Sequence, residues 1–347
     1  MRLNTLLATT TAALAAATCL TATGPAGAAT GGAASANVRT GHACSPSVAI
    51  DRYSDALDKT TYEGTFVGNF SALAVDRDGA LAAVSDRSAL FSLDARTLRP
   101  RGVRALADEA GAPLDSEGLV VDRDGTRLIG SETEPTVRRY SRDGRILDRL
   151  PVPDALRPAP AGRARANGTF EGLTLLPGGR TLLASMEYPL DGDRSDTVRL
   201  QTWRRTPEDR FRLGAQYAYR VDTGLGVPEV TATPDGRLLV LERGFTAGVG
   251  NTVRLYLADP RGAADVRAVD RLTGAEAMPK TLLADLVTCP SLGATAKQPQ
   301  PNPLLDNIEG MAVTGRAPGG AMRVLLVSDD NQNDVQTTRF YFLRVRL

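Results

Sequence analysis

Several residue types that catalytic and nucleic-acid-binding sites commonly use are rare in this chain. Its 347 residues include one histidine, one tryptophan and three cysteines, and aromatic residues make up 5% of the total. A Ser-His-Asp triad would have to use His42, and the sequence contains no Gly-x-Ser-x-Gly elbow. It also has no Cys-x-x-Cys pair, Walker loop or dinucleotide-binding fingerprint. The sequence therefore argues against serine hydrolases, thiol redox enzymes and P-loop NTPases.

The chain also lacks an excess of charge of either sign. It has 41 Lys and Arg residues against 40 Asp and Glu residues, a formal net charge of +1. A nearly neutral chain has no electrostatic basis for binding nucleic acid or an anionic membrane surface. The few aromatic side chains likewise disfavour stacking platforms for sugars or bases. We therefore expect a small-molecule substrate and no nucleic-acid partner.

The N-terminal residues have the pattern of a secretory signal. Arg2 precedes an apolar stretch over Leu6–Leu20, and the small residues Ala26–Ala28 supply a cleavage site. We expect residues 1–29 to be removed on export and residues 30–44 to form a flexible lead-in, so that the mature protein is secreted and extracellular. The alternative is a membrane anchor. The stretch is short and rich in Thr for a spanning helix, so we expect no membrane span.

Two cysteines remain once the predicted signal is removed. Cys44 and Cys289 lie towards the two ends of the mature chain, and an exported protein meets an oxidising environment. We expect them to form a disulfide, and the alternative is a pair of buried free thiols. The third cysteine, Cys19, lies within the signal, where the preceding Ala16–Thr18 is a poor lipid-attachment sequence.

The most informative pattern in the chain is a repeated phrase. It consists of a first-slot acid, Gly and an apolar residue, a hairpin that contains Gly, and a second-slot acid at the end of the returning strand. Three clear copies run from Glu117-Gly118-Leu119 to Glu132, from Glu171-Gly172-Leu173 to Glu187 and from Glu309-Gly310-Met311 to Asp329. A looser copy runs from Glu229-Val230 to Glu242, and the earliest has Ser71 and Asp86 in the two slots. Repetition at this spacing is typical of a radial or solenoid architecture.

Each repeat can be read as four short antiparallel strands, which is the content of one β-propeller blade. The first-slot positions 71, 117, 171, 229 and 309 are 46, 54, 58 and 80 residues apart. Five blades are therefore readable, and the last interval has room for a sixth, degenerate blade between Asp259 and Asn307 that would include Lys280–Cys289. We expect an all-β fold, a six-bladed β-propeller over residues 45–347, and a monomer.

The N-terminal strand is expected to close the ring. The last readable blade, from Ile308 to Val345, lacks its outermost strand, and an unpaired strand edge is a liability. Val48–Tyr53 has the composition to fill that place. The disulfide would then tie this closing strand to a late blade.

A radial repeat brings acids that are distant in sequence to one channel. Clustered carboxylates repel unless a cation or an arginine neutralises them, and oxygen ligands without His or Cys suit Ca²⁺, or else Mg²⁺ or Mn²⁺. The candidate metal ligands are Glu117, Glu171, Glu229, Glu309, Asp329, Asp330, Glu132 and Glu187. The alternative is structural, with each acid bound by backbone amides or paired with Arg87, Arg138 or Arg243.

Two acidic loops extend this hypothesis. Asp191–Asp196 and Asp329–Asp334 both follow second strands and are dense in oxygen donors. The first resembles the start of a calcium loop, although Thr202 stands where a bidentate Glu is required. The alternative for both loops is a solvated turn.

Several of these phrases together resemble the phytase-like family, which is labelled "esterase-like activity of phytase" and consists of exported bacterial propellers. The resemblance covers about residues 61–345. It rests on Glu117-Gly118-Leu119, Asn167–Leu173, Asp306–Met311 and Leu326–Asn331. It implies a propeller similar in shape to the six-bladed, calcium-dependent alkaline phytases.

These observations together favour an exported, metal-dependent hydrolase of phosphoesters that acts at an acidic channel mouth. Glu171 and Glu309 are the candidate catalytic residues, and Arg87, Arg243 and Asn307 are the candidate substrate-binding residues. A non-catalytic propeller that binds a ligand or a protein at the same mouth is the alternative, and a carboxylesterase is the third hypothesis.

Overall fold

The computed structural model describes residues 41–347, which form 22 strands and three single-turn 3₁₀ helices. The predicted signal peptide and most of the predicted lead-in lie outside the described residues. The strands are β1 (Val48–Ser54), β2 (Thr60–Tyr62), β3 (Thr65–Val67), β4 (Phe70–Val75), β5 (Leu81–Ser85), β6 (Ala89–Leu93), β7 (Pro100–Ala105), β8 (Ser116–Val121), β9 (Arg127–Ser131), β10 (Thr136–Tyr140), β11 (Ile146–Arg149), β12 (Phe170–Leu175), β13 (Thr181–Met186), β14 (Thr197–Arg205), β15 (Phe211–Arg220), β16 (Gly226–Ala232), β17 (Leu238–Thr246), β18 (Gly250–Ala258), β19 (Lys280–Asp285), β20 (Ile308–Arg316), β21 (Met322–Ser328) and β22 (Phe340–Val345). The 3₁₀ helices are Asp154–Leu156, Leu286–Thr288 and Pro318–Gly320. Within residues 41–347, no helix has the length and apolar character that a membrane span requires.

Five four-stranded antiparallel sheets form the blades of a propeller. From the axis outward, blade 1 is β4-β5-β6-β7, blade 2 is β8-β9-β10-β11, blade 3 is β12-β13-β14-β15, blade 4 is β16-β17-β18-β19 and blade 5 is β20-β21-β22-β1. Each innermost strand contacts the innermost strands of its two neighbours, and β20 of blade 5 contacts β4 of blade 1. The ring is therefore closed, and the prediction of a β-propeller is confirmed.

The prediction that the N-terminal strand completes the last blade is also confirmed. β1 pairs with β22 in antiparallel register, from Val48 opposite Val345 to Ser54 opposite Phe340. This pairing covers the outer edge of β22, which an open ring would leave exposed.

The predicted sixth blade is not present among residues 41–347, and that part of the prediction is wrong. Of the long interval between Asp259 and Asn307, only β19 is a strand, and it pairs with β18 as the outer strand of blade 4. The preceding loop packs on the edge of blade 3, where Val266 N donates to Gln216 O and Met278 N donates to Ala218 O. The extra length therefore extends an existing sheet edge instead of forming a new sheet.

The predicted disulfide joins Cys44 to Cys289 across 245 residues of sequence. Cys289 follows the turn after β19 of blade 4, and Cys44 precedes β1 of blade 5. The bond therefore links the closing strand to the neighbouring blade. The last residues of the expected flexible lead-in continue this contact, because Ala43 bridges Ala49 and the Nδ1 atom of His42 lies 2.7 Å from Ile50 O.

Apolar side chains fill the spaces between adjacent blades. Phe70 of blade 1 packs edge-on against Phe91 and against Phe340 of blade 5, with ring centroids 5.5 and 6.0 Å apart. Phe170 and Trp203 of blade 3 make a similar contact at 5.7 Å. The Phe70–Phe340 contact crosses from blade 1 to blade 5, and the apolar cluster around Phe170 and Trp203 also includes Val120 and Leu128 of blade 2. Packing between blades of this kind fixes the positions of the innermost strand ends at the channel mouth.

Candidate functional site

A backbone irregularity turns the first-slot acids towards the channel. In blade 3 the pairing of β12 with β13 runs from Phe170 opposite Met186 to Leu173 opposite Ala184, so Glu171 and Gly172 form a bulge. In blade 2 the same irregularity contains the Glu117-Gly118 dipeptide. Bulges of this kind redirect a side chain next to functional sites.

The glycine after the first-slot acid is required by the close approach of neighbouring blades. A Cβ on Gly118 would lie 2.6 Å from Glu171 O and 2.4 Å from the Cβ of Leu173. A Cβ on Gly172 would lie 2.4 Å from Val230 N. Real Cβ atoms do not approach other atoms so closely. The Glu-Gly dipeptide is therefore required by packing between blades as well as by the chemistry of the acid.

The channel opens into a cavity of about 600 Å³, which we call the mouth cavity. Eight carboxylic acids and three arginines line it. The acids are Asp86, Asp115, Glu117, Glu132, Glu171, Glu187, Glu309 and Asp329, and the arginines are Arg87, Arg165 and Arg243. Seven neutral side chains complete the lining: Asn167, Tyr188, Phe245, Asn251, Asn307, Asn331 and Gln336.

Two groups of three acids within the mouth cavity have the geometry of a cation site. Asp115, Glu117 and Glu132 form one group and Glu132, Glu171 and Glu187 form the other, each with one oxygen per residue within 4.8 Å of the others. Glu132 belongs to both groups and is only 4% exposed. Among the described residues its Oε1 atom has no hydrogen-bond partner. A buried carboxylate that has an unpartnered oxygen and lies close to other carboxylates is suited to bind a cation.

Burial and mutual repulsion raise the pKa values of these acids. Burial raises the pKa of Glu117 and Glu171 well above the ordinary glutamate value, and neighbouring carboxylates raise both further. Burial raises the pKa of Glu132 to about 7, and Glu187 adds to the rise. Burial also raises the pKa of Glu309 to about 7, although Arg243 acts in the opposite direction. A bound cation would oppose this effect by favouring the ionised carboxylates.

Arg243 from β17 supplies positive charge on the blade 4 side of the mouth cavity. Its Nη2 atom lies 3.4 Å from the Oε1 atom of Glu187 and 3.1 Å from the Oε1 atom of Glu309. Burial, the largest single effect, lowers the pKa of the Arg243 guanidinium, but the combined attraction of Glu309, Glu187 and Glu171 outweighs it and raises the pKa above its ordinary value. The residue predicted to bind substrate therefore holds two carboxylates in place.

Glu229 is buried outside the mouth cavity, unlike the other first-slot acids. In blade 4 the bulge contains Val227 and Pro228, and Glu229 pairs with Leu241 in the register that Leu173 has in blade 3. Its Oε1 atom accepts hydrogen bonds from Val230 N at 2.9 Å and Leu173 N at 3.2 Å. The first-slot position in blade 4 is therefore Val227, two residues before the Glu229 that the sequence pattern suggests. Glu229 matches the structural alternative, a carboxylate that binds the amides of adjacent blades.

Asp329 and Asp330 are separated by the geometry at the end of β21. Asp329 lines the mouth cavity, whereas Asp330 is fully buried beside it. The carboxylate of Asp330 lies 2.5 Å from Lys59 Nζ and accepts a hydrogen bond from Asn69 N at 3.1 Å. Asp330, predicted as a metal ligand, is therefore already neutralised by a lysine.

The two other predicted substrate-binding residues lie at the mouth cavity in different settings. Asn307 Nδ2 donates to the Oε1 atom of Glu309 at 2.9 Å and lies 3.4 Å from the Oδ2 atom of Asp329, so it orients acids. The Arg87 side chain is 64% exposed at the rim, and its nearest acid is Asp86 at 3.6 Å. Arg87 therefore remains available to a ligand.

The first acidic loop is bound by arginine. The carboxylate of Asp193 accepts hydrogen bonds from Arg199 at 2.7 and 2.9 Å and from Leu272 N at 2.9 Å. The carboxylate of Asp196 accepts bonds from Arg194 and Arg220 at 2.6 and 3.1 Å. These contacts favour the structural alternative for the loop over the calcium loop that its sequence resembles.

Sequence reasoning missed Asp115 and the neutral side of the mouth cavity. Asp115 lies two residues before Glu117, just as the predicted Asn307 lies two residues before Glu309, so the repeat carried a signal for it. Arg165 stacks over the Tyr188 ring at 5.0 Å. No periodic pattern marks these two residues or Asn251, because they come from connections and a hairpin specific to one blade.

Comparison with known sequences identifies one family. The profile described as "Phytase-like: Esterase-like activity of phytase" matches residues 65–332. An uncharacterized secreted protein from Arthroderma benhamiae is 27% identical over 39% of this chain and 35% of its own length. The chain thus spans about a third of that relative.

Solved structures resemble the chain more distantly. A gluconolactonase from Xanthomonas campestris is 14% identical, with a TM-score of 0.43 over 82% of this chain and 73% of its own. The PQQ-bound aldose sugar dehydrogenase from Streptomyces coelicolor is 15% identical, with a TM-score of 0.41 over 88% of this chain and 100% of its own. Similarity at this level assigns neither a ligand nor a reaction to the chain.

Proposed function

The chain belongs to the phytase-like family, and on this premise we propose that it is an exported hydrolase of phosphoesters that uses a divalent cation, Ca²⁺ in the first place, at the mouth cavity. The observation that carries the proposal is the placement of Glu132. One oxygen of Glu132 lies within 4.8 Å of the ligand oxygens in each acidic group, and its buried Oε1 atom has no hydrogen-bond partner among the described residues. Oxygen donors without His or Cys are the ligands of hard cations.

The electrostatics of the mouth cavity support a cation. Asp115, Glu117, Glu171 and Glu187 converge on Glu132, whereas the half-buried Arg243 pairs with Glu187 and Glu309 and with no other acid of residues 41–347. At an effective dielectric constant of about 20, the repulsion between two like charges at such separations is on the order of several kcal/mol. Protonation offsets that cost in the metal-free protein, and a cation offsets it with the acids ionised.

A cation held by these carboxylates would polarise a phosphoryl oxygen and acidify a water molecule. Glu171 would accept the proton of the attacking water as the P–O bond to water forms. Glu309, whose pKa is raised to about 7, would donate a proton to the alcohol oxygen as the P–O bond to the alcohol breaks. Arg243 and Asn307 hold Glu309 in place, and the exposed Arg87 at the rim would bind the remaining phosphoryl oxygens.

An extracellular location and a small substrate complete the proposal. The Cys44–Cys289 disulfide is typical of oxidising compartments, and the Arthroderma benhamiae relative is named a secreted protein. A concave cavity of about 600 Å³ suits a small molecule, and a monomer suffices because one chain supplies the whole lining.

The test compares chelator-treated and Ca²⁺-loaded full-length protein on p-nitrophenyl phosphate and p-nitrophenyl acetate. We expect hydrolysis of the phosphate ester only, dependent on Ca²⁺, and lost in Glu132→Gln. The exposed Glu208→Gln is the matched control and should keep the activity. Preference for the acetate would favour the carboxylesterase hypothesis, and Ca²⁺ binding without hydrolysis of either ester would favour the binding propeller.

A further inference from the structure

One side of the mouth cavity is built by a hairpin that the repeat pattern does not predict. Its first strand, β17, has nine residues, whereas the second strands of the other blades, β5, β9, β13 and β21, have five, five, six and seven. The hairpin turns over Thr246–Gly250 and pairs Phe245 with Asn251. Both of these residues line the mouth cavity.

The hairpin is held firmly at the position of Asn251. Gly250 adopts a φ of +108°, and a Cβ there would lie 2.5 Å from Pro299 O, so only glycine permits this approach. The backbone N–H of Asn251 donates to the Oε1 atom of Gln300 at 2.8 Å. The Asn251 side chain is thereby positioned by its own backbone and by a neighbouring loop.

The Asn251 side chain is 1% exposed, yet within the described part of the chain neither its Oδ1 nor its Nδ2 atom has a hydrogen-bond partner. Burying an amide in this way is unfavourable unless a ligand completes it. The complementary group must both donate and accept a hydrogen bond, because the amide presents an acceptor beside a donor. A hydroxyl group meets this requirement, a cation cannot accept from Nδ2, and a phosphate dianion cannot donate to Oδ1.

Phe245 adds an apolar surface beside this amide. It is 55% exposed at the cavity rim, so its ring offers an apolar face to a ligand that enters the mouth cavity. Phe245 and Asn251 together would take a neutral group with a carbon face and a free hydroxyl. The paucity of aromatic residues in the sequence disfavoured a stacking platform, but the fold places one of the few at this rim.

We propose that Asn251 and Phe245 form a subsite for the alcohol half of the substrate, and that this alcohol is uncharged and carries at least one free hydroxyl besides the esterified one. The inference rests on the proposed function, because the acidic groups around Glu132 on the other side would engage the phosphoryl half. A substrate whose alcohol half carried a second phosphate in place of that hydroxyl would leave Oδ1 of Asn251 without a donor. The mouth cavity therefore selects a hydroxylated monoester over a polyphosphorylated one.

The test compares two phosphomonoesters with the same three-carbon chain. Glycerol 1-phosphate carries two free hydroxyl groups, and propyl phosphate carries none. For the Ca²⁺-loaded full chain we expect kcat/KM for glycerol 1-phosphate to exceed that for propyl phosphate by about tenfold, since hydrogen bonds to an otherwise unsatisfied buried amide carry such discrimination. Asn251→Leu should remove the preference, mainly by raising KM for glycerol 1-phosphate. Phe245→Ala should lower kcat/KM for both esters by a similar factor. The exposed Val249→Ala in the same turn is the control and should change neither.

Calorimetric titration of the same two esters into Ca²⁺-loaded wild-type and Asn251→Leu protein separates this inference from the proposed function. Tighter binding of glycerol 1-phosphate that is lost in Asn251→Leu, without any hydrolysis, supports the subsite and contradicts the hydrolase. Hydrolysis with equal kcat/KM for both esters in wild type supports the hydrolase and overturns the subsite. Equal or absent binding of the two esters by a correctly melting wild-type protein overturns it as well.

Discussion

Replacing Glu132 with Gln should remove most of the stabilisation that Ca²⁺ confers on the protein. Glu132 is the one acid shared by the two candidate groups, so its loss takes a charged ligand from both. A cation that binds only the folded state at a hundredfold excess over its Kd stabilises that state by about 2.7 kcal/mol. With an unfolding entropy of about 2.1 cal/mol/K per residue and roughly 300 folded residues, this corresponds to a rise in Tm of about 4 °C.

The variant keeps an oxygen at the same place but loses its charge. Mutating a residue that only hydrogen-bonds to a metal ligand lowers metal affinity by about 10- to 100-fold. We therefore assume a loss of about 100-fold in Ca²⁺ affinity for a direct ligand. At the same Ca²⁺ concentration the stabilisation then falls to about 0.4 kcal/mol, and the shift in Tm falls below about 1 °C. Metal-free Glu132→Gln should itself melt no lower than metal-free wild type, because the substitution removes a buried like charge.

Differential scanning calorimetry of chelator-treated protein, with and without added Ca²⁺, measures both quantities. The exposed Glu208→Gln variant has the same chemistry outside the mouth cavity and should show the full shift. A Glu132→Gln variant that keeps the wild-type shift would refute the assignment of the cation to the two acidic groups.

Three further predictions follow from the same geometry. The pKa values of Glu132 and Glu309 rise from 4.5 to about 7 on folding, so their contribution to the stability of the metal-free protein should be complete below pH 4.5 and lost as the pH rises through about 7. Ca²⁺ should reverse this trend, and urea unfolding between pH 5 and 8 measures its sign. Glu229→Leu should lower the free energy of unfolding by about 1–3 kcal/mol, because Val230 N and Leu173 N lose their acceptor, and should leave the Ca²⁺ shift intact; a lost shift would return Glu229 to the ligand set. The double Cys44→Ala and Cys289→Ala variant should lose on the order of 5 kcal/mol in the chain-entropy model while retaining the Ca²⁺ shift, and wild-type stability in chemical denaturation would contradict a constraining disulfide.

The sequence predicted those parts of the site that inter-blade packing dictates. Glu117, Glu171 and Glu309 each precede a glycine that a neighbouring blade approaches closely. The acid and the glycine therefore recur together, and the pair can be recognised in the sequence. Closure by the N-terminal strand and the disulfide followed from the missing outer strand and from two remaining cysteines. Both arguments rest on local rules that every blade shares.

Features that depend on one blade alone could not be predicted in this way. The register of blade 4 differs because Val227-Pro228 takes the place of the Glu-Gly dipeptide, and an acid two residues later resembles the repeat without occupying its position. The interval before Asn307 is long because a loop packs against blade 3, which chain length alone does not distinguish from a degenerate blade. The neutral amide of Asn251 depends on a longer hairpin and on the contact of Gly250 with Pro299, both of which are tertiary features.

The most direct measurement of the central claim is a crystal structure of the full-length protein soaked with Mn²⁺, with anomalous difference density calculated at the manganese edge. We predict a peak in the mouth cavity within coordination distance of Glu132 and of at least two other members of the groups Asp115, Glu117, Glu171 and Glu187. Anomalous density only at surface acids, or none in the mouth cavity at millimolar Mn²⁺ and neutral pH, would contradict the claim and leave the converging carboxylates with a purely structural role.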